Sequence, residues 1–127
     1  MNQKQRDDYL ALGHTGIGWL SIIVELDRQL SDIDPDYTID QIKEKFGGLR
    51  YYFSQSPSIV FRLPFLLRFP FICRHIEMYN EGKGMAMRRL VIEAERKCLV
   101  TCELCGEGEA LIRNQGGWNK TLCSICI

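Results

Sequence analysis

The stretch Tyr37–Phe53 reads YTIDQIKEKFGGLRYYF, two strand-like runs joined at Gly47-Gly48. Paired glycines take the positive φ angles of a two-residue turn without steric cost, so the segment predicts a β-hairpin. With Gly47 and Gly48 as the turn, Phe46 faces Leu49, Lys45 faces Arg50, Glu44 faces Tyr51, Lys43 faces Tyr52 and Ile42 faces Phe53. Alternation puts Ile42, Phe46, Leu49, Tyr51 and Phe53 on one side with Glu44, and Lys43, Lys45, Arg50 and Tyr52 on the other. The first side needs an apolar cover, and the second is basic and partly aromatic.

The cover comes from upstream. Trp19, Ile23, Leu26, Leu30 and Ile33 recur at spacings of four and three, one stripe of a helix running from about Ile17 to Ile33. Asp34-Pro35 ends it, because a residue before proline is pushed out of the helical region. Tyr9, Leu10 and Leu12 predict a short helix before it, and Glu25, Asp27, Asp32, Asp34 and Asp36 fall on the helix exterior and its cap. Downstream, Pro57, Pro64 and Pro70 break an apolar stretch. Pro70 is suited to open a short helix bearing Ile72, Ile76 and Tyr79, which Gly82 would close. Met87, Val91, Ala94 and Cys98 then predict a further helix from about Met85 to Leu99. The fold class is α+β: a helix packed on a hairpin, further helices, and a small C-terminal module.

A chain of 127 residues and 14.7 kDa suits one domain. Apolar residues at 46% and charged residues at 25% exclude disorder and collagen-like structure. Sixteen basic residues balance sixteen acidic ones, so nucleic-acid binding through bulk charge is excluded and only a local patch could serve. Met1 to Asp8 is polar and carries no secretory pattern, which places the protein in the cytoplasm as an expectation. Ser58–Cys73 is apolar but too short and too rich in arginine and proline to span a membrane. Six cysteines without an export signal point to metal thiolates rather than disulfides.

The cysteines are patterned. Cys102-Glu103-Leu104-Cys105-Gly106 is followed, seventeen residues on, by Cys123-Ser124-Ile125-Cys126. Each pair brackets a tight turn, and the intervening strands Ala110–Arg113 and Trp118–Leu122 form a hairpin that brings the turns together, as in a zinc ribbon or knuckle. Four thiolates close the coordination sphere, so one Zn2+ ion here would be structural, its binding energy serving as folding energy. Iron is the other metal such a site accepts. Cys98 and Cys73, set among apolar residues, read as buried thiols, Cys98 with the option of a spare ligand. Residues 1–100 then form a helix–hairpin–helix core and residues 101–127 the four-cysteine module, together one compact unit.

No catalytic constellation emerges, and the chain reads as a non-enzyme. His14 and His75 sit in no metal or triad pattern, and the acidic residues lack paired acid–base spacing. Gly16-Ile17-Gly18 lacks the preceding strand a phosphate loop needs. Two surfaces invite a partner. The apolar segment 59–72, with Phe61, Phe65, Leu66, Phe69 and Phe71, completes the core, docks a protein or forms a homodimer interface. The basic hairpin face of Lys43, Lys45, Arg50 and Tyr52, with Arg113 and Lys120 of the ribbon, is the candidate nucleic-acid surface.

The run Gln41–Tyr52 (QIKEKFGGLRYY), with Gly18-Trp19, Glu93-Ala94-Glu95, Thr101–Gly106 (TCELCG) and Gly117–Cys123 (GWNKTLC), resembles a family of small, mostly uncharacterised proteins of bacteriophages and prophages. The resemblance covers about half the chain, and the stretch 54–84 departs from it by being longer and more apolar. It implies a setting: small phage proteins that are neither structural nor enzymatic often bind and redirect a host protein, defence factors included. A zinc-stabilised interaction protein is the leading expectation, and a nucleic-acid-binding accessory protein the alternative.

Overall fold

The computed structural model describes residues 15–57 and 70–127 of the chain. The helix expected around Tyr9, Leu10 and Leu12 lies outside the described residues, as do His14, Phe61, Phe65, Leu66 and Phe69 and the Cys73 side chain.

A short 3-10 turn, Ile17–Trp19, leads into helix α1, Leu20–Ile33. Trp19, Ile23, Leu26 and Leu30 are buried as the stripe requires, with Ile33 packed at the margin. Asp34 leaves the helix in extended geometry ahead of Pro35. Strands β1, Thr38–Lys45, and β2, Gly48–Ser54, come next as an antiparallel hairpin.

Its register differs from the expected one. Lys45 pairs with Gly48, Lys43 with Arg50 and Ile42 with Tyr51, so the turn residues are Phe46 and Gly47, at φ 55° and 81°. Both carry the positive φ of a primed hairpin turn, a cost of about 1–2 kcal/mol at a residue such as Phe46. One local and one long-range hydrogen bond hold it there. The Gly47 N–H donates to the Glu44 carboxylate at 2.6 Å, and the Gly47 carbonyl accepts from the Thr121 hydroxyl. Each residue's partner moves by two positions, which preserves its face, so Ile42, Leu49 and Tyr51 still point inward and are buried. Phe46 alone leaves that face, 69% exposed in the turn, and a bulge between Ile39 and Gln41 absorbs an extra residue.

A second correction concerns the downstream helices. Pro70–Cys98 is one 29-residue helix, α2, about 43 Å long at 1.5 Å per residue. Gly82 and Gly84 do not divide it, because a glycine weakens a helix interior by about 1 kcal/mol and only proline breaks it outright. Gly84 has a further role. A Cβ there would lie 2.6 Å from Gln55 Oε1, and the Gln55 carboxamide uses this flat spot to donate to the Asn80 carbonyl at 3.0 Å.

The C-terminal half of α2 buries Met87, Val91, Ala94 and Cys98 against α1 and the inner face of β2. Asp27 and Asp34, expected on the exterior, are also buried. Asp27 accepts the Tyr37 hydroxyl proton, and the Tyr51 hydroxyl then donates to Tyr37 at 2.7 Å. Burial pushes the Tyr51 phenol up to about 12 and Tyr37 further, so both stay neutral donors. Asp34 accepts from the Ser56 N–H at 2.8 Å and lies 3.8 Å from Lys83, tying the end of α1 to the exit of β2 and to α2. Strands β3, Leu111–Gln115, and β4, Trp118–Leu122, form the C-terminal hairpin around Gly116 and Gly117, both at positive φ.

Candidate metal centre

Helix α2 ends one turn before the first cysteine pair, and three contacts fix the position of that pair. Trp19 Nε1 donates to the Thr101 carbonyl at 2.8 Å, the Gly18 N–H donates to the Glu103 carbonyl at 2.8 Å, and the Ala110 N–H donates to the Val100 carbonyl at 3.0 Å. The glycines that fail as a phosphate loop have their reason here. A Cβ on Gly16 would stand 1.9 Å from the Glu103 oxygen, and one on Gly18 would stand 2.1 Å from the Cys102 oxygen. Only bare backbone fits against the cysteine turn, a signal visible in the sequence but without meaning until the turn is placed beside it.

Within the turn, the Gly106 N–H returns to the Cys102 carbonyl at 2.9 Å, with Gly106 at φ 83°, which glycine takes without strain. The β3–β4 hairpin carries Cys123 and Cys126 to the same point. All four thiol sulfurs, of Cys102, Cys105, Cys123 and Cys126, lie within 4.8 Å of one another, with Cys105 and Cys123 3.6 Å apart. Tetrahedral ligands at the 2.3 Å zinc–sulfur distance would be about 3.8 Å apart, so the residues present fit one tetrahedral ion. The four can hold a metal ion with no position left for a substrate.

The four thiols split into two that are lowered, Cys102 and Cys123, and two that are raised, Cys105 and Cys126. Burial raises the Cys102 thiol, but the N–H groups of Cys123, Cys105 and Leu104 outweigh it and bring it down to about 6. The Cys126 N–H lowers Cys123 in the same way. Cys126 is pushed up to about 12 by the neighbouring thiols of Cys105 and Cys123. Cys98 is not part of the cluster: it sits in the helix–hairpin core, and burial lifts its thiol to about 12, the inert buried thiol rather than the spare ligand.

Beside the cluster, Glu103 is buried with Oε1 3.6 Å from Lys120 Nζ and Oε2 without a hydrogen-bond partner. Burial, partly offset by Lys120, raises its carboxyl. Sequence reasoning missed this residue, since nothing in a Cys-x-x-Cys pattern tells which way an intervening side chain points.

Of the expected nucleic-acid residues, Lys43, Lys45, Arg50 and Tyr52 share the outer face of the first hairpin, where Lys43 stands opposite Arg50 and its ammonium lies 5.5 Å from the Tyr52 ring. Arg113 and Lys120 oppose each other on the ribbon, on the other face from Ile112 and Thr121, which meet Gly47. Both are engaged internally, Arg113 Nε donating to the Leu122 carbonyl at 3.2 Å and Lys120 reaching Glu103. Of the expected protein-binding residues within the described chain, Phe71 is 74% exposed in the first turn of α2, its ring 4.5 Å from that of His75. Met78, Tyr79 and Met85 are exposed on the same half of the helix. Splitting the helix at Gly82 hid this stripe from the sequence.

Compared with family models, with curated proteins and with solved structures, the chain matches none. Among the described residues, no helix is long and apolar enough to cross a membrane.

Proposed function

We propose that the chain is a small, zinc-stabilised interaction protein of a bacteriophage or prophage, which works in the cytoplasm of a bacterial host and binds a protein partner there, a host defence factor being the favoured kind. Its work is binding rather than catalysis, and one structural Zn2+ on Cys102, Cys105, Cys123 and Cys126 keeps the ribbon in place.

The observation that supports this reading most is the N-terminal half of α2. Phe71, Met78 and Met85 succeed one another at seven-residue intervals, close to two helical turns, and all three are exposed. Exposed apolar residues in a row, with polar flanks, are the usual mark of a protein-docking face. In the sequence, Phe71 belongs to the apolar segment 59–72 that also contains Phe61, Phe65, Leu66 and Phe69.

The test is affinity capture from bacterial lysate with the tagged full chain, one sample treated with nuclease, beside a Met78→Glu variant. One stoichiometric protein that survives nuclease and is lost with Met78→Glu is the expected result. Equal capture by the variant would remove the stripe from the account. Light scattering on the purified chain separates a homodimer through this face, and metal analysis should return one zinc per chain.

A second reading, a nucleic-acid-binding accessory protein, is favoured by the like-charged pair Lys43 and Arg50 on the outer hairpin face, since such a pair is destabilising without a nearby anion. It predicts capture that disappears with nuclease and falls steeply with salt.

A further inference from the structure

Between the outer edge of β2 and the C-terminal part of α2 lies a groove of about 330 Å³, with Phe46 of the hairpin turn and Ile112 of the ribbon among its walls. Its floor is aliphatic: Leu49 is fully buried, while Ile92, Leu99 and Ile112 are 41%, 40% and 51% exposed. Its rim is cationic. Lys45, Arg50 and Arg96 line it, and among the described residues none of the three forms an ion pair. Glu95 is the one carboxylate in the lining, and it already accepts the Tyr51 N–H at 3.3 Å.

Three cations without an ion-pair partner among the described residues, set around an aliphatic floor, complement a segment that carries carboxylates beside an apolar side chain.

We propose that this groove binds an acidic segment of a protein partner, which places one apolar side chain on the Ile92–Leu99–Ile112 floor and sets carboxylates against Lys45, Arg50 and Arg96. Peptide is favoured over nucleic acid because the floor is aliphatic, with Phe46 the one aromatic side chain in the lining, where single strands are held on rows of aromatic platforms. The proposal rests on the reading of the chain as a protein-binding one, but it uses a surface separate from the Phe71–Met85 stripe, so the two can fail independently.

The experiment uses the zinc-loaded full chain and a fixed array of heptapeptides in which one leucine or phenylalanine sits among acidic, neutral or basic residues. Acidic members should bind and basic ones should not. Joint Arg50→Glu and Arg96→Glu substitution should lower binding at least tenfold with zinc content and circular dichroism unchanged. Met78→Glu should leave peptide binding as it is, while removing the lysate partner. Where the double variant fails to fold, Arg96→Gln and the salt dependence of binding carry the same expectation. Absence of any acidic binder, indifference to charge reversal, or a single-stranded oligonucleotide that binds through Arg50 and Arg96 where peptides do not would each overturn the proposal.

Discussion

In the helix–hairpin region the buried cluster is made of Trp19, Ile23, Leu26, Leu30, Leu49, Met87 and their neighbours, while in the ribbon it is Cys102, Ala110, Leu122 and Cys123. The first is an apolar core supplied by two helices and a sheet face, at about 1.5–3 kcal/mol for each large side chain buried. The second has one large aliphatic side chain, and two of its members are thiols of the four-cysteine cluster. A two-stranded hairpin with so little apolar cover is marginal alone. The difference teaches that the ribbon lacks the apolar core of the other part, which is why the proposed zinc matters there, and that the two are joined where Trp19, Gly18 and Gly47 meet the ribbon backbone and Thr121.

The largest effect should come from the ligands. Structural zinc contributes about 10–16 kcal/mol in comparable small domains, so on the proposed zinc reading Cys102→Ser or Cys123→Ser should cost the ribbon its fold and its metal. Limited proteolysis checks this: cleavage should move into residues 101–127 while the helix–hairpin core resists. Trp19→Ala strikes the other side of the comparison. It empties the largest buried site and deletes the bond to Thr101, and should cost about 3–5 kcal/mol in urea unfolding without lowering zinc stoichiometry.

The same contrast explains how legible each part was. The Trp19–Ile33 stripe, the inner hairpin face, the Met87–Cys98 stripe and the four-cysteine spacing are local periodicities, and a sequence displays those directly. The hairpin register, the unbroken α2, and the burial of Asp27, Asp34 and Glu103 depend on contacts between segments far apart in the chain. Gly47 is held by Thr121, and Gly84 faces Gln55. A rule applied to the glycines alone misplaced a turn by one residue and a helix end by about sixteen. Within the candidate site, all four cysteines were readable, whereas the Gly16–Gly18 cradle and Glu103 were not.

Smaller effects sharpen the picture within the helix–hairpin region. Burial raises the Asp34 carboxyl, but the Ser56 N–H and hydroxyl and the Lys83 ammonium outweigh it, so its folded pKa lies below the ordinary 3.8. A lowered folded pKa stabilises above the unfolded value and is lost as the pH falls through the folded one. Asp34→Asn should therefore cost about 1.5–3 kcal/mol near pH 7, with the penalty shrinking as the pH drops through 3.8 and below. Chemical denaturation of both proteins across that range checks it. Gly82→Ala is the mildest change. Nothing lies within 4 Å of a Cβ there, and the helix interior gains about 1 kcal/mol, read as a small rise in melting temperature with no change in metal content.

The claim that metal holds the ribbon while apolar packing holds the rest is tested most directly by amide-resolved NMR of the zinc-loaded chain before and after chelation. The account predicts that resonances of residues 101–127 collapse toward random-coil positions while those of Ile23, Leu26, Leu49 and Met87 stay dispersed. A spectrum unchanged by chelation, or a chain purified without metal and equally folded throughout, would contradict it.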